Sequence, residues 1–208
     1  PSCRWEKPEQ GGRAAWRLVA LRRLESGDAI NFEYCRDPNH LLLTTSGFVV
    51  PDNPYNRVMA KPVDLRARLG AVANSSSPAD FAGWRAGEFE RQLPDPEEDG
   101  PGMSMYVVGK VPGGLQWNPL WLDLCGLAMS LSPTPHWSQQ PGGAEAFCRT
   151  VERATLGLFP TALDEDRAAM ERGDLSPNGA LAAQFLVGQK QMIRDAVGAL
   201  RQKMLAAA

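Results

Sequence analysis

The sequence predicts an α+β chain, with a short β-rich piece over residues 1–60 and an all-α unit over residues 61–208. Before residue 35, apolar and polar residues alternate in two places, the period of a half-buried strand. After Pro62, apolar residues recur three and four apart, as on a helix packed along one side. Prolines at helix starts and glycines at helix ends divide that second part into separate helices.

Residues 13–21 form the first expected strand, with Trp16, Leu18 and Ala20 on one face. Glu25-Ser26-Gly27-Asp28 follows as a turn, because Gly and Asp tolerate the positive φ that turns often need. Residues 29–34 alternate again, placing Ile30, Phe32 and Tyr34 on a shared face. A short helix is expected over residues 39–46, ended by Gly47, and Asn53-Pro54 breaks the chain because the residue before proline avoids the α region. This β piece is too short to enclose a core, so it is expected to pair with further strands or to pack on the helices.

Helices are then expected over residues 64–72 and 78–93, joined by the Asn74-Ser75-Ser76-Ser77 loop. Residues 94–102 are acidic and rich in Pro and Gly, which reads as a loop, and residues 103–108 as a short strand or extended linker. Residues 118–129 form a buried helix with Pro119 in its first turn. Pro133, Pro135 and Pro141 make residues 130–143 a loop, and residues 144–158 a further helix. Thr161-Ala162-Leu163-Asp164 fits a capping box with Asp in place of Glu, and Gly173 is placed to end that helix. Ser176-Pro177 supplies an N-cap and a first-turn proline for the last helix. Along it Leu181, Phe185, Met192, Ala196 and Leu200 recur at helical spacing and form one buried stripe.

Composition narrows the function. Hydrophobic residues make up 43% and charged residues 22%, ordinary for a globular chain, and the net charge of −2 argues against nucleic-acid binding. No apolar run is long enough to span a bilayer, so no membrane partner is expected. The four cysteines are scattered without a CxxC pair, and His40 and His136 have no ligand spacing, so no metal site is expected.

The informative stretch is Gly27-Asp28-Ala29-Ile30-Asn31-Phe32-Glu33-Tyr34-Cys35, then Asn39-His40-Leu41-Leu42-Leu43, Gly47-Phe48-Val49 and Asn53-Pro54. It resembles the C-terminal signature of SET-domain protein-lysine methyltransferases of the Rubisco large-subunit methyltransferase type. Further on, residues 159–166, Leu175-Ser176-Pro177-Asn178 and Leu186-Val187-Gly188-Gln189-Lys190 resemble the end of that family's helical substrate-binding domain. The resemblance implies an incomplete SET domain over residues 1–60 and a substrate-binding domain over residues 61–208. Pro1-Ser2-Cys3 is similar to the tail of the family's Asn-His motif, so that motif and the Gly-rich cofactor loop are expected upstream, and this segment alone is expected to be inactive.

The family mechanism is methyl transfer from S-adenosylmethionine to an uncharged lysine, with catalysis mostly by positioning and desolvation. Tyr34 matches the family's catalytic tyrosine, with an ordinary strand tyrosine as the alternative. Asn39 matches a residue that supports the neighbouring backbone and the cofactor pocket, with a helix N-cap as the alternative. Phe48 matches the aromatic near cofactor and lysine channel, with a core residue as the alternative. Two positions depart from the family: Ser46 stands where it has Tyr, and Cys35 where it commonly has Gly. These departures favour a second reading, a catalytically inactive protein-binding module derived from a SET methyltransferase.

The implied partner is a protein bearing the target lysine, the Rubisco large subunit or another protein. The implied location is the chloroplast, with cytoplasm or nucleus as alternatives. Trp84 and Trp121 are expected in the core, and Trp117 and Trp137 on the partner-facing surface. Glu97, Glu98 and Asp99 read as a solvated acidic loop.

Overall fold

The protein is described by a computed structural model, which defines residues 1–6, 17–32, 35–74, 104–129 and 142–206. Its chain divides into two compact units, Pro1–Asp37 and Pro38–Ala208. The expected helix over residues 78–93, Trp84, Trp137, Tyr34 and the acidic run at residues 97–99 lie outside the described residues.

In the first unit, β1 (Cys3–Glu6) pairs antiparallel with β2 (Arg17–Ala20), setting Trp5 opposite Leu18. The turn expected at residues 25–28 is present. Asp28 N–H donates to the Glu25 carbonyl, the Glu25 N–H donates to the Asp28 carboxylate, and Gly27 takes φ 94°. The strand expected over residues 29–34 is not formed across residues 29–32, which contribute only an isolated parallel bridge from Phe32 to Cys3. The cause is local. Ser2 Oγ accepts the Asn31 N–H, while the Ser2 and Cys3 amides both donate to the Asn31 carbonyl, so a side chain occupies ladder positions. Trp5 and Phe32 meet edge to face with ring centroids 5.5 Å apart.

The second unit opens with α1 (Asn39–Ser46), which ends at Gly47 in the left-handed region, as the sequence predicts. A three-stranded antiparallel sheet follows in the order β3 (Arg57–Ala60), β4 (Met105–Val111), β5 (Gly114–Trp117). Residues 61–208 are therefore not all helical. The Pro112-Gly113 turn joins β4 to β5: proline presets the first turn position, and Gly113 takes the positive φ of 97° that the second requires.

Five helices complete the unit: α2 (Pro62–Asn74), α3 (Pro119–Met129), α4 (Gly143–Leu156), α5 (Leu163–Arg172) and α6 (Pro177–Ala206). Each matches an expected helix to within a few residues. Asn118 caps α3 by accepting the Leu120 N–H, and Pro119 takes the first position. Ser176 Oγ likewise accepts the Gly179 N–H at the start of α6. At α5 the expected capping box is shifted by one residue. Glu165 reaches back to the Ala162 N–H, alanine has no oxygen to reciprocate, and Thr161 Oγ1 donates instead to Asp166.

Sheet and helices share one core. It joins Val58, Val107 and Val108 of the sheet to Leu65 and Leu69 of α2, Trp121 and Leu124 of α3, Val151 of α4, and Ile193 and Val197 of α6. Trp121 is buried as expected and donates its indole N–H to Thr155 Oγ1 at 3.0 Å. Trp117, expected on the surface, is 8% exposed, and its indole N–H donates to the Ala196 carbonyl at 3.2 Å. That bond ties β5 to α6 and leaves Trp117 unable to serve as a partner anchor. No helix among the described residues is long and apolar enough to cross a membrane.

Candidate functional site

The second unit carries a groove of about 300 Å³ between the loop after α1 and one face of α6. Val49, Val50, Pro51 and Asp52 form one wall. Gln184, Val187, Gly188, Gln191 and Asp195 of α6 form the other, recurring at the three-and-four spacing of a single helix face. Leu115 of β5 and Met192 add apolar floor, and Lys110 of β4 stands at the edge.

A buried amide cage holds this groove in shape. Asn39 Oδ1 accepts from the Val50 N–H at 3.1 Å and from Asn53 Nδ2 at 3.0 Å, and Asn39 Nδ2 donates to the Val50 carbonyl at 2.9 Å. Asn56 Oδ1 accepts the Asn39 N–H at 3.2 Å, the Arg57 N–H at 3.1 Å and Gln189 Nε2 at 3.0 Å. Asn39, Asn53, Asn56 and Gln189 are all buried. Buried amides require partners, and here they satisfy one another across α1, the following loop, β3 and α6.

These contacts redefine Asn39. The N-cap of α1 is Pro38, which has no side-chain acceptor, and Asn39 is the first helical residue. Its N–H is capped from a distance by Asn56. The N-cap alternative for Asn39 is thus replaced by a structural one, in which its carboxamide fixes the backbone of Val50. Phe48 lies just after α1, is 37% exposed and does not line the groove. Tyr34 is outside the described residues, and of the two described site residues, Asn39 and Phe48, Asn39 lines the groove.

The rim is charged. Asp52 is fully exposed, has φ 51° and stands 4.0 Å from the Lys110 ammonium. Asp195 accepts a hydrogen bond from Gln191 Nε2 at 2.8 Å. Gln191 Oε1 in turn accepts from Arg167 of α5 at 2.6 Å.

Below the groove, α5 and α6 are joined by a buried ion pair. The Lys190 ammonium contacts the Asp166 carboxylate and donates to Thr161 Oγ1 at 2.8 Å, while Thr161 Oγ1 donates to Asp166 Oδ1 at 2.7 Å. Lys190 Nζ also lies 5.4 Å from the Phe159 ring centre, within cation–π range. The stripe predicted along α6 is correspondingly wider than expected. Met192 and Ala196 are buried, Leu181, Phe185 and Leu200 are half-buried, and Gln189 and Lys190 are buried beside them.

Two thiols are chemically quiet. Burial pushes Cys125 far above the ordinary thiol range. Burial also raises Cys148, opposed by the nearby Arg201 and reinforced by Glu145 and Glu152. No group of His, Cys, Asp or Glu among the described residues could hold a metal ion.

The comparisons with known proteins bear on part of this unit. A comparison with curated proteins finds no match. Residues 144–193, which span nearly all of α4, the whole of α5 and the first half of α6 with most of the groove's helical wall, match the family model for Rubisco LSMT substrate-binding.

Proposed function

We propose that this chain is the substrate-holding part of a SET-type, S-adenosylmethionine-dependent protein-lysine N-methyltransferase. The observation that carries the reading is the match of residues 144–193 to a substrate-binding domain, a stretch that supplies most of the helical wall of the groove on α6. A groove with apolar walls and a few charged groups at its rim suits a protein segment. Residues 1–60 are then assigned to the C-terminal part of the SET domain and residues 61–208 to the substrate-binding domain, whose helices are joined by the β4–β5 hairpin.

S-adenosylmethionine supplies the methyl group on a sulfonium, and the chain's residues position the acceptor. Tyr34 is assigned the role of orienting the incoming amine with its hydroxyl. Asn39 is assigned to support the neighbouring backbone and the cofactor pocket, its carboxamide holding Val50. Phe48, with an exposed face, is the remaining described residue assigned to the cofactor side. The partner is a protein carrying the target lysine, with the Rubisco large subunit first among candidates and the chloroplast as the location to test.

The second reading is an inactive protein-binding module. Ser46, exposed at the end of α1, and Cys35 favour it, because neither supplies the channel chemistry of the family's Tyr and Gly. The test is methylation of cell-extract proteins by the protein that carries this chain, read by mass spectrometry of modified lysines. Tyr34→Phe should reduce transfer severely, by about a hundredfold or more as for loss of a positioning group. Undiminished transfer in that variant removes Tyr34 from the mechanism, and absence of transfer in the parent selects the binding module.

A further inference from the structure

We infer that the groove between residues 49–53 and α6 receives a lysine or arginine side chain from an extended segment of the partner protein. The inference deepens the protein-binding reading above and rests on it.

The chemistry of the walls selects the occupant. Val49, Val187 and Met192 offer an apolar path suited to an aliphatic stem. Two carboxylates, Asp52 and Asp195, stand on opposite walls, against one ammonium, Lys110. Lys110 sits beside Asp52, the hydrogen bond to Asp195 comes from a neutral amide, and Arg167, which holds that amide, is itself paired with Asp164, so the groove's lining residues keep one uncompensated carboxylate. A side chain with an apolar stem and a cationic head matches that combination of linings. Gln184, at the other end of the helical wall, is half-buried, and its side-chain amide offers both a donor and an acceptor to an extended backbone.

Gly188 is a separate observation. It is exposed in the interior of a 30-residue helix, where glycine weakens the helix relative to leucine. A Cβ at this position would meet nothing within 4 Å, so no described packing contact requires glycine. The consequence of its missing side chain is an open wall at the middle of the groove. A larger side chain here would fill the groove while leaving the core untouched.

The experiment is a titration of the isotopically labelled 208-residue chain, followed by amide NMR. The probes are three capped pentapeptides: alanine flanking a central lysine, a central norleucine and a central glutamate. The lysine peptide should shift the amides of Val50, Asp52, Val187, Gly188 and Asp195, with the other two weaker by about tenfold or more. Gly188→Leu should abolish these shifts without lowering the melting temperature. Asp52→Asn with Asp195→Asn should reduce the lysine peptide to the level of norleucine. Equal response to all three peptides, shifts confined to other surfaces, or an unchanged response in Gly188→Leu would each overturn the assignment. Loss of the groove alone is distinguishable from loss of the protein-binding reading. If Gly188→Leu still associates with a methylated target as the parent does, partner binding stands and only this groove is excluded. If neither associates, both readings are withdrawn.

Discussion

Cys125 shows how a single buried atom links structure to pH. Its thiol is enclosed among the apolar residues of α3, and burial penalises the thiolate. Because the folded pKa is raised, the unfolded chain releases this proton at ordinary thiol pH while the folded chain keeps it. The contribution to stability is therefore complete below the ordinary thiol pKa and is lost as pH rises above it. Urea unfolding at neutral pH and near pH 10 should show a decline that is smaller in Cys125→Ala, with Cys148 accounting for part of the remainder. An identical decline in the variant would assign the effect to other groups. The same burial keeps the folded chain's Cys125 unreactive toward alkylating reagents.

At the level of elements, the junction between α5 and α6 depends on a pair that the sequence does not announce. Lys190 is 1% exposed and Asp166 is 5% exposed, and breaking a buried pair leaves an uncompensated charge. Lys190→Met should cost about 3–5 kcal/mol, and joint replacement with Asp166→Leu should recover much of that loss. Chemical denaturation of both single variants and the double variant measures the coupling. Additive losses would show that the pair does not act as a unit.

What the sequence reveals about the elements follows from how local their causes are. Helices α1, α3 and α6 are legible because Gly47, Asn118-Pro119 and Ser176-Pro177 fix their ends within a few residues. The hairpin of β4 and β5 turns at Pro112-Gly113, whereas the sequence reading expects only a short strand or extended linker over residues 103–108. The pairing of β3 with β4 spans the whole of α2 and the chain that follows it, and no local pattern encodes so distant a partner. The site behaves in the same way. Asn39 is recognisable from its motif, whereas its bonds to Asn53 and its link through Asn56 to Gln189 depend on tertiary placement. Gln189 and Lys190 interrupt an apolar pattern, and their burial depends on partners distant in the sequence.

For the whole molecule, the amide cage and the ion pair serve a common end: both fix α6, which carries one wall of the groove and extends about 45 Å at the usual helical rise. A surface held by buried polar contacts changes little on binding, so recognition loses less ordering entropy than a mobile surface would. The most direct measurement is hydrogen exchange of this chain with and without the protein whose lysine the methylation assay identifies, starting with the Rubisco large subunit. Slowed exchange in α6 and in residues 49–56 on adding that protein is the expected result. A methylated protein that leaves exchange unchanged throughout residues 38–206 would contradict the assignment of this chain as the part that holds it.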